Sequence, residues 1–247
     1  MKLTVLASGS SGNGYVLEGR TSALIIECGV PPERAFRETH ISPSKVSGCL
    51  VSHEHGDHAA YADRYARLGM TVYASLGTIR GAGLWECPRV LSLAAGRPAQ
   101  VGEFTVIPFE TEHDAAEPLG FSIHHPELGR LVFATDTRKM PYAFIGADHV
   151  LIEANWSGPI LDGRVMSGEE DIDRAARIKN THLSLEQACE FVRRSDSRDL
   201  KHVILIHLSG RNSDAEDFAA QVRKSVRLAA VDVARPGLTV ELNKHTF

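Results

Sequence analysis

Two spacings of apolar residues alternate along the chain. Short aliphatic and β-branched runs bounded by Gly, Pro, Asp or Ser read as strands: "KLTVLAS", "YVLEG", "ALIIEC", "GCLVS", "MTVYAS", "GEFTVIPF", "GFSIHH", "LVFAT", "HVLIEA", "HVILIHLS" and "LTVEL". The stretch "GFSIHHPELGRLVFAT" predicts a hairpin turning at Pro126 to Gly129. Helical periodicity marks "DHAAYADRYARLG", stopped by Gly69, and then "GEEDIDRAARI", "SLEQACEFVRRS" and "SDAEDFAAQVRKSVRL". The second and fourth of these begin acidic and end basic, the order a helix dipole favours. Ser184 with Gln187 three positions later predicts a capping box. No repeat, low-complexity stretch or linker interrupts the pattern. Residues 1–247 are therefore expected to form one mixed α/β domain, strands clustered first and helices interspersed.

Composition adds little to this and removes several possibilities. With 43% hydrophobic and 23% charged residues, the chain can bury a core without disulfides. Cys28, Cys49, Cys87 and Cys189 are scattered and form no CxxC pair, so reduced and mostly buried thiols are expected, which fits a reducing, cytoplasmic setting. The apolar run in "MKLTVLASGSSGNG" is too short for a signal sequence, and no segment is long enough to span a bilayer. A formal net charge of -4 means that any polyanionic partner needs a local basic patch. Oligomeric state is left open.

The picture changes at "SHEHGDHA", residues 52–59, which puts His53, His55, Asp57 and His58 within six positions. Four coordinating side chains are costly to bury without a partner. His53 and His55, two apart in an extended segment, point the same way and can chelate one ion. Asp57 and His58 open the following helix and suit a second. Imidazole with carboxylate favours zinc, with manganese or iron possible. Further donors follow other apolar runs: His113 after "GEFTVIPFET", Asp136 after "LVFAT" and His207 at the end of "HVILI". A sheet could aim all of them at one edge. Taken singly, Asp136 could be a helix cap and His207 a hydrogen-bonded core residue. His40, His124, His125, His149, His202 and His245 are expected to play no part in metal binding. His202 opens the strand that His207 closes and so belongs at the wrong end.

On "HEHGDH", the later His113, the "ATDT" Asp136 and the "IHLS" His207, the chain resembles the metallo-β-lactamase fold superfamily. The resemblance implies a four-layer αββα sandwich of two mixed sheets flanked by helices. It also implies two divalent metal ions, zinc first and manganese second. His53, His55 and His113 would hold one ion, Asp57, His58 and His207 the other, with Asp136 bridging. "LASGSSGNGYVLE", "PFETEHDAAEPLGFSI", "FATDT", "LIEAN" and "THLSLEQA" look more narrowly like the YycJ/WalJ group, which is similar to RNase Z and includes DNA exonucleases. Glu27, Trp156 and Thr181 depart from the pattern, standing where Asp, a polar or His residue, and Gly are usual. None of the three is a metal ligand.

The activity so implied is phosphodiester hydrolysis by a metal-bridging hydroxide. Asp57, His182 and Glu153 are the catalytic candidates. His182 in "NTHLS" would protonate the leaving oxygen and Glu153 in "LIEAN" would orient it, a reading preferred here over a helix cap or structural contact at His182. The substrate expected is nucleic acid or another phosphodiester. The alternatives are a small-molecule cyclic phosphodiesterase, a glyoxalase II-type thioester hydrolase, and a non-enzymatic metal-dependent binding module. The "SGSSGNG" loop reads either as an anion nest or as a plain turn between strands. Arg138, Lys139, Arg174, Arg177, Lys179 and Arg211 recur beside the candidate ligands and suit phosphate tracking, while Arg174 to Lys179 also read as a basic helix end.

Overall fold

The computed structural model describes residues 1–244. His245, grouped above with the histidines outside the metal set, lies outside the described residues. Among the described residues, fourteen strands form two seven-stranded mixed sheets. The first sheet contains β1 (Lys2–Ala7), β2 (Gly14–Glu18), β3 (Ala23–Ile26), β4 (Val46–Leu50), β5 (Val72–Ser75), β6 (Val90–Leu93) and β14 (Thr239–Glu241), in the order β14-β1-β2-β3-β4-β5-β6. The second contains β7 (Ala99–Val101), β8 (Phe104–Glu110), β9 (Leu119–His125), β10 (Gly129–Ala134), β11 (His149–Glu153), β12 (His202–Ile206) and β13 (Ala230–Val233), in the order β13-β12-β11-β10-β9-β8-β7.

The chain divides into two compact units. One comprises Met1–Glu110, Ala115–Leu131 and the residues from Ala234 onward; the other comprises Thr111–Asp114 and Val132–Val233. In the first unit, β1, β2 and β3 pair antiparallel, whereas β3 to β6 are parallel. Its core gathers Leu6, Val16, Ile25, Cys28, Cys49, Val51, Tyr65 and Val72. In the second unit, β11, β12 and β13 are parallel. Val203 to Ile206 are wholly buried, the unbroken apolar run that a strand covered on both faces requires.

Helices fall where capping chemistry allows. Helix α7 (Leu185–Ser195) starts on the expected capping box: Ser184 Oγ accepts from Gln187 N, and the Gln187 side chain accepts from Ser184 N. Asp171 caps α6 (Ile172–Thr181) and Asp214 caps α8 (Ala215–Arg223). The "GEED" segment therefore precedes α6 instead of opening it. The "DHAAYADRYARLG" period is realised as two short helices, α2 (Gly56–Ala59) and α3 (Ala62–Arg67). The break at Tyr61 has a tertiary cause, since Tyr61 N donates to Cys28 O while Cys28 N donates to His58 O. Helix α1 (Pro32–Thr39) buries Pro32, Ala35 and Thr39 on one face at helical spacing, within a short and highly charged run, whereas α4 (Leu76–Gly81) and α5 (Gly158–Met166) are interrupted by Gly. All four cysteines are free, three of them buried. Among the described residues, no helix is long and apolar enough to cross a membrane.

Candidate metal centre

In the first unit the donor run leaves the end of β4. His53 is buried just past the strand, and His55 is the N-cap of α2, which carries Asp57 and His58. Ser52 Oγ lies 2.9 Å from His53 Nδ1, and His53 Nε2 lies 3.2 Å from His55 Nδ1. Asp57 Oδ2 lies 3.3 Å from His58 Nε2. Two ligands on a tetrahedral zinc ion sit roughly 3.3 Å apart, so both pairs already have the spacing of neighbouring donors. The residues present fit the ion that the chemistry implies.

Two residues outside the run hold it. Asn13, from the "SGSSGNG" loop, is wholly buried; its Nδ2 reaches Asp57 Oδ2 at 3.3 Å and His58 Nε2 at 3.1 Å, and its backbone N–H donates to Asp57 O at 2.7 Å. The loop itself closes as a turn, Gly12 N donating to Gly9 O, with positive φ at both glycines. Through Asn13 the loop thus braces the candidate donor segment. Gly29 makes room for that brace, because a Cβ there would lie 1.8 Å from Asp57 O. Glu27 is the second holder. Buried and left-handed at φ 67°, it accepts from Ser52 N at 3.3 Å and approaches His58 Nδ1 at 3.5 Å through the same oxygen. Glu27 thus turns one carboxylate oxygen toward both groups.

The second unit carries the other donors. His113, three residues beyond β8, lies 2.8 Å from Thr181 O through Nδ1. That bond fixes the tautomer, with the proton on Nδ1 and a free lone pair on Nε2, as a metal-binding imidazole requires. Burial pulls the His113 pKa below its usual range despite the nearby Asp136 carboxylate, which favours the neutral, ligating form. Asp136 follows β10 and His207 follows β12. Both are buried non-glycine residues with positive φ, 41° and 52°, backbone strain of the kind that clusters at functional sites. His207 Nδ1 lies 3.0 Å from Asp136 Oδ1, and Asn155 Nδ2 holds the His207 carbonyl at 3.0 Å.

Glu153 ends β11 and is wholly buried. Oε2 accepts from Thr137 N at 3.0 Å and Leu183 N at 3.1 Å; Oε1 faces His182 Nδ1 at 2.6 Å and His207 Nδ1 at 3.3 Å. Burial alone would raise its pKa, but the charge and hydrogen bond of His182 and the hydrogen bond of His207 bring it below the usual value. Burial opposes the His182 charge in turn, and Glu153 more than offsets it, so that the His182 pKa is raised. Ligand atoms of Asp136, Glu153, His182 and His207 all lie within 4.8 Å of one another. The His182 backbone N–H caps α6 on Ile178 O, while its side chain goes to Glu153, so capping and the carboxylate contact coexist. Trp156, one of the unusual residues, donates its indole N–H to His182 O at 3.1 Å. Thr181, another, supplies through its backbone the carbonyl that orients His113.

Asn155 and Trp156 act through side-chain N–H groups on the carbonyls of His207 and His182, and Thr137 through its backbone N–H on Glu153; nothing in their spacing marks them beforehand. The basic residues beside the ligands are mostly matched within the chain. Arg138 and Lys139 both pair with Glu112, Arg177 with Asp114, Arg174 with Glu170 and Lys179 with Asp162. Among the described residues, His40, His124, His125, His149 and His202 belong to no group of three or more metal donors. His149 and His202 open adjacent strands, their rings 5.3 Å apart.

A family model described as a beta-lactamase superfamily domain matches residues 27–208. The exodeoxyribonuclease WalJ of Streptococcus pneumoniae is 29% identical over 231 residues, covering 87% of this chain and 84% of that protein. The exodeoxyribonuclease YycJ of Bacillus anthracis is 28% identical over 228 residues, covering 87% and 85%. Among solved structures, the metallo-beta-lactamase fold protein YhfI from Bacillus subtilis superposes with a TM-score of 0.74 at 17% identity, covering 97% of this chain and 98% of that one.

Proposed function

The chain belongs to the metallo-β-lactamase superfamily, and on that premise we propose that it is a metal-dependent phosphodiester hydrolase acting as a DNA exonuclease. The observation that carries this reading is the Glu153–His182 pair at 2.6 Å beside Asp136 and His207, which joins a proton donor to metal-ligand chemistry. The similarity to proteins named exodeoxyribonucleases supports DNA as the substrate. Four unpaired cysteines support a reducing, cytoplasmic setting.

The two donor sets would serve one dinuclear centre in a single catalytic domain, as the sequence resemblance implies. His53, His55 and His113 would take one ion and Asp57, His58 and His207 the other, with Asp136 shared. Zinc suits these donors best and manganese second. When bound, the ions supply Lewis acidity that activates water and offsets phosphoryl charge. Asp57, with 21% of its side chain exposed against 3% for Asp136, is the ligand carboxylate able to accept the attacking water's proton. As water adds to phosphorus, the bond to the leaving oxygen breaks and that oxygen needs a proton. With Nδ1 committed to Glu153, His182 gives the proton on Nε2. A thioester would make this pair idle, because a thiolate leaves unprotonated.

The test is a substrate screen on protein of measured metal content. It should include end-labelled DNA and RNA oligonucleotides, bis-p-nitrophenyl phosphate, a cyclic nucleotide and a glutathione thioester. Stepwise shortening of the DNA is expected. Turnover of the cyclic nucleotide without DNA would replace this reading with a small phosphodiester hydrolase, and turnover of the thioester alone would overturn it.

A further inference from the structure

We propose that Trp85 and Arg80 form a stacking platform for a single-stranded nucleic-acid substrate, outside the ligand set. This rests on the nuclease reading above and adds to it the form of the substrate.

Trp85 is 68% exposed, a large apolar surface to leave in water. It is one of two tryptophans, and the other, Trp156, is partly covered and hydrogen-bonded. The Arg80 guanidinium lies over the Trp85 ring, 5.9 Å from its centroid. In contrast to the basic residues matched to carboxylates beside the ligands, Arg80 makes no ion pair among the described residues. An exposed indole carrying an unneutralised cation offers a π-face to a base and a charge to its phosphate, the combination that single-stranded recognition uses.

Its position ties it to the donor run. Arg80 lies on α4, which is packed against the ligand loop: a Cβ on Gly81 would lie 2.6 Å from Glu54 Cγ, and Glu54 separates His53 from His55. Ala116 N donates to the Glu54 carboxylate at 2.7 Å, and Gly77 N, also on α4, donates to Glu117 at 2.8 Å. One short segment, 116–117, thus clamps both the ligand loop and the helix. Trp85 follows Gly81 by four residues, at most roughly 14 Å of extended chain. A strand with its scissile phosphate at the donor run would pass the ring within a few nucleotides.

The experiment compares metal-loaded wild type with Trp85→Ala, Trp85→Phe and Arg80→Ala. It measures kcat and KM on a single-stranded oligonucleotide and on bis-p-nitrophenyl phosphate, which has no base to stack. Trp85→Ala is expected to raise the oligonucleotide KM about tenfold, by the typical strength of base–aromatic stacking. The oligonucleotide-to-bis-p-nitrophenyl phosphate efficiency ratio should fall by the same factor. Trp85→Phe should recover much of the loss, and Arg80→Ala should flatten the salt dependence of KM. An active wild type whose oligonucleotide KM is unmoved by Trp85→Ala overturns the platform and leaves the nuclease reading standing. A wild type that ignores oligonucleotides yet cleaves bis-p-nitrophenyl phosphate overturns both.

Discussion

His182 Nδ1 and Glu153 Oε1 lie 2.6 Å apart, the imidazole at the end of α6 and the carboxylate at the end of β11. The carboxylate is wholly buried and held by two backbone N–H groups, so its orientation is set before any substrate arrives. His182 is the more open member, with 19% of its side chain exposed.

If His182 protonates the leaving oxygen, His182→Ala should slow DNA cleavage by about 10²–10⁴-fold with metal content unchanged. Bis-p-nitrophenyl phosphate should be affected far less, since p-nitrophenolate departs unprotonated. Equal losses on both substrates would assign His182 to something other than proton donation. Elemental analysis and parallel rate measurements distinguish the outcomes.

Trp156→Phe keeps an aromatic ring and deletes the N–H that donates to His182 O. The expected cost is about 1 kcal/mol of stability, the net worth of one hydrogen bond. A several-fold lower kcat on DNA with little change in KM should accompany it, because His182 is displaced while substrate contacts remain. Thermal unfolding and steady-state kinetics provide both readouts.

Gly29→Ala should be among the most damaging small substitutions, as its Cβ meets Asp57 O at 1.8 Å and Asn13 N at 2.7 Å. Overpacking of this kind costs about 1–3 kcal/mol. Here it also pushes Asp57 and His58 off Asn13, so metal affinity should fall with stability. Gly163→Ala, within α5 and with nothing inside 4 Å of the added Cβ, should be neutral or stabilising. Calorimetry and metal titration of the two variants test the contrast.

Chelation should lower the melting temperature, because ions bound only by folded protein stabilise it by mass action. At a free metal concentration 100 times Kd the effect of one site is about 2.7 kcal/mol. For a chain of this length that corresponds to roughly 5–10 °C. Restoring zinc or manganese should reverse the shift, and His53→Ala should diminish it.

The sequence by itself determined where the candidate donors lie and which elements carry them. The run from His53 to His58 and the positions of His113, Asp136 and His207 just past apolar runs were legible because strand ends and ligand types are local properties. Ser184 and Gln187 announced their capping box for the same reason. Tertiary structure alone decided what supports the donors. Asn13 could be recognised as a polar loop residue, but its grip on Asp57 and His58 joins positions 44 and 45 residues apart. The break at Tyr61 depends on Cys28, and His113 takes its tautomer from a carbonyl 68 residues away. The basic residues looked like a patch until the fold set Glu112, Asp114 and Asp162 against them. Periodicity and ligand chemistry are written within a few neighbouring residues. Backbone hydrogen bonds and charge neutralisation between distant segments exist only once the chain has closed on itself.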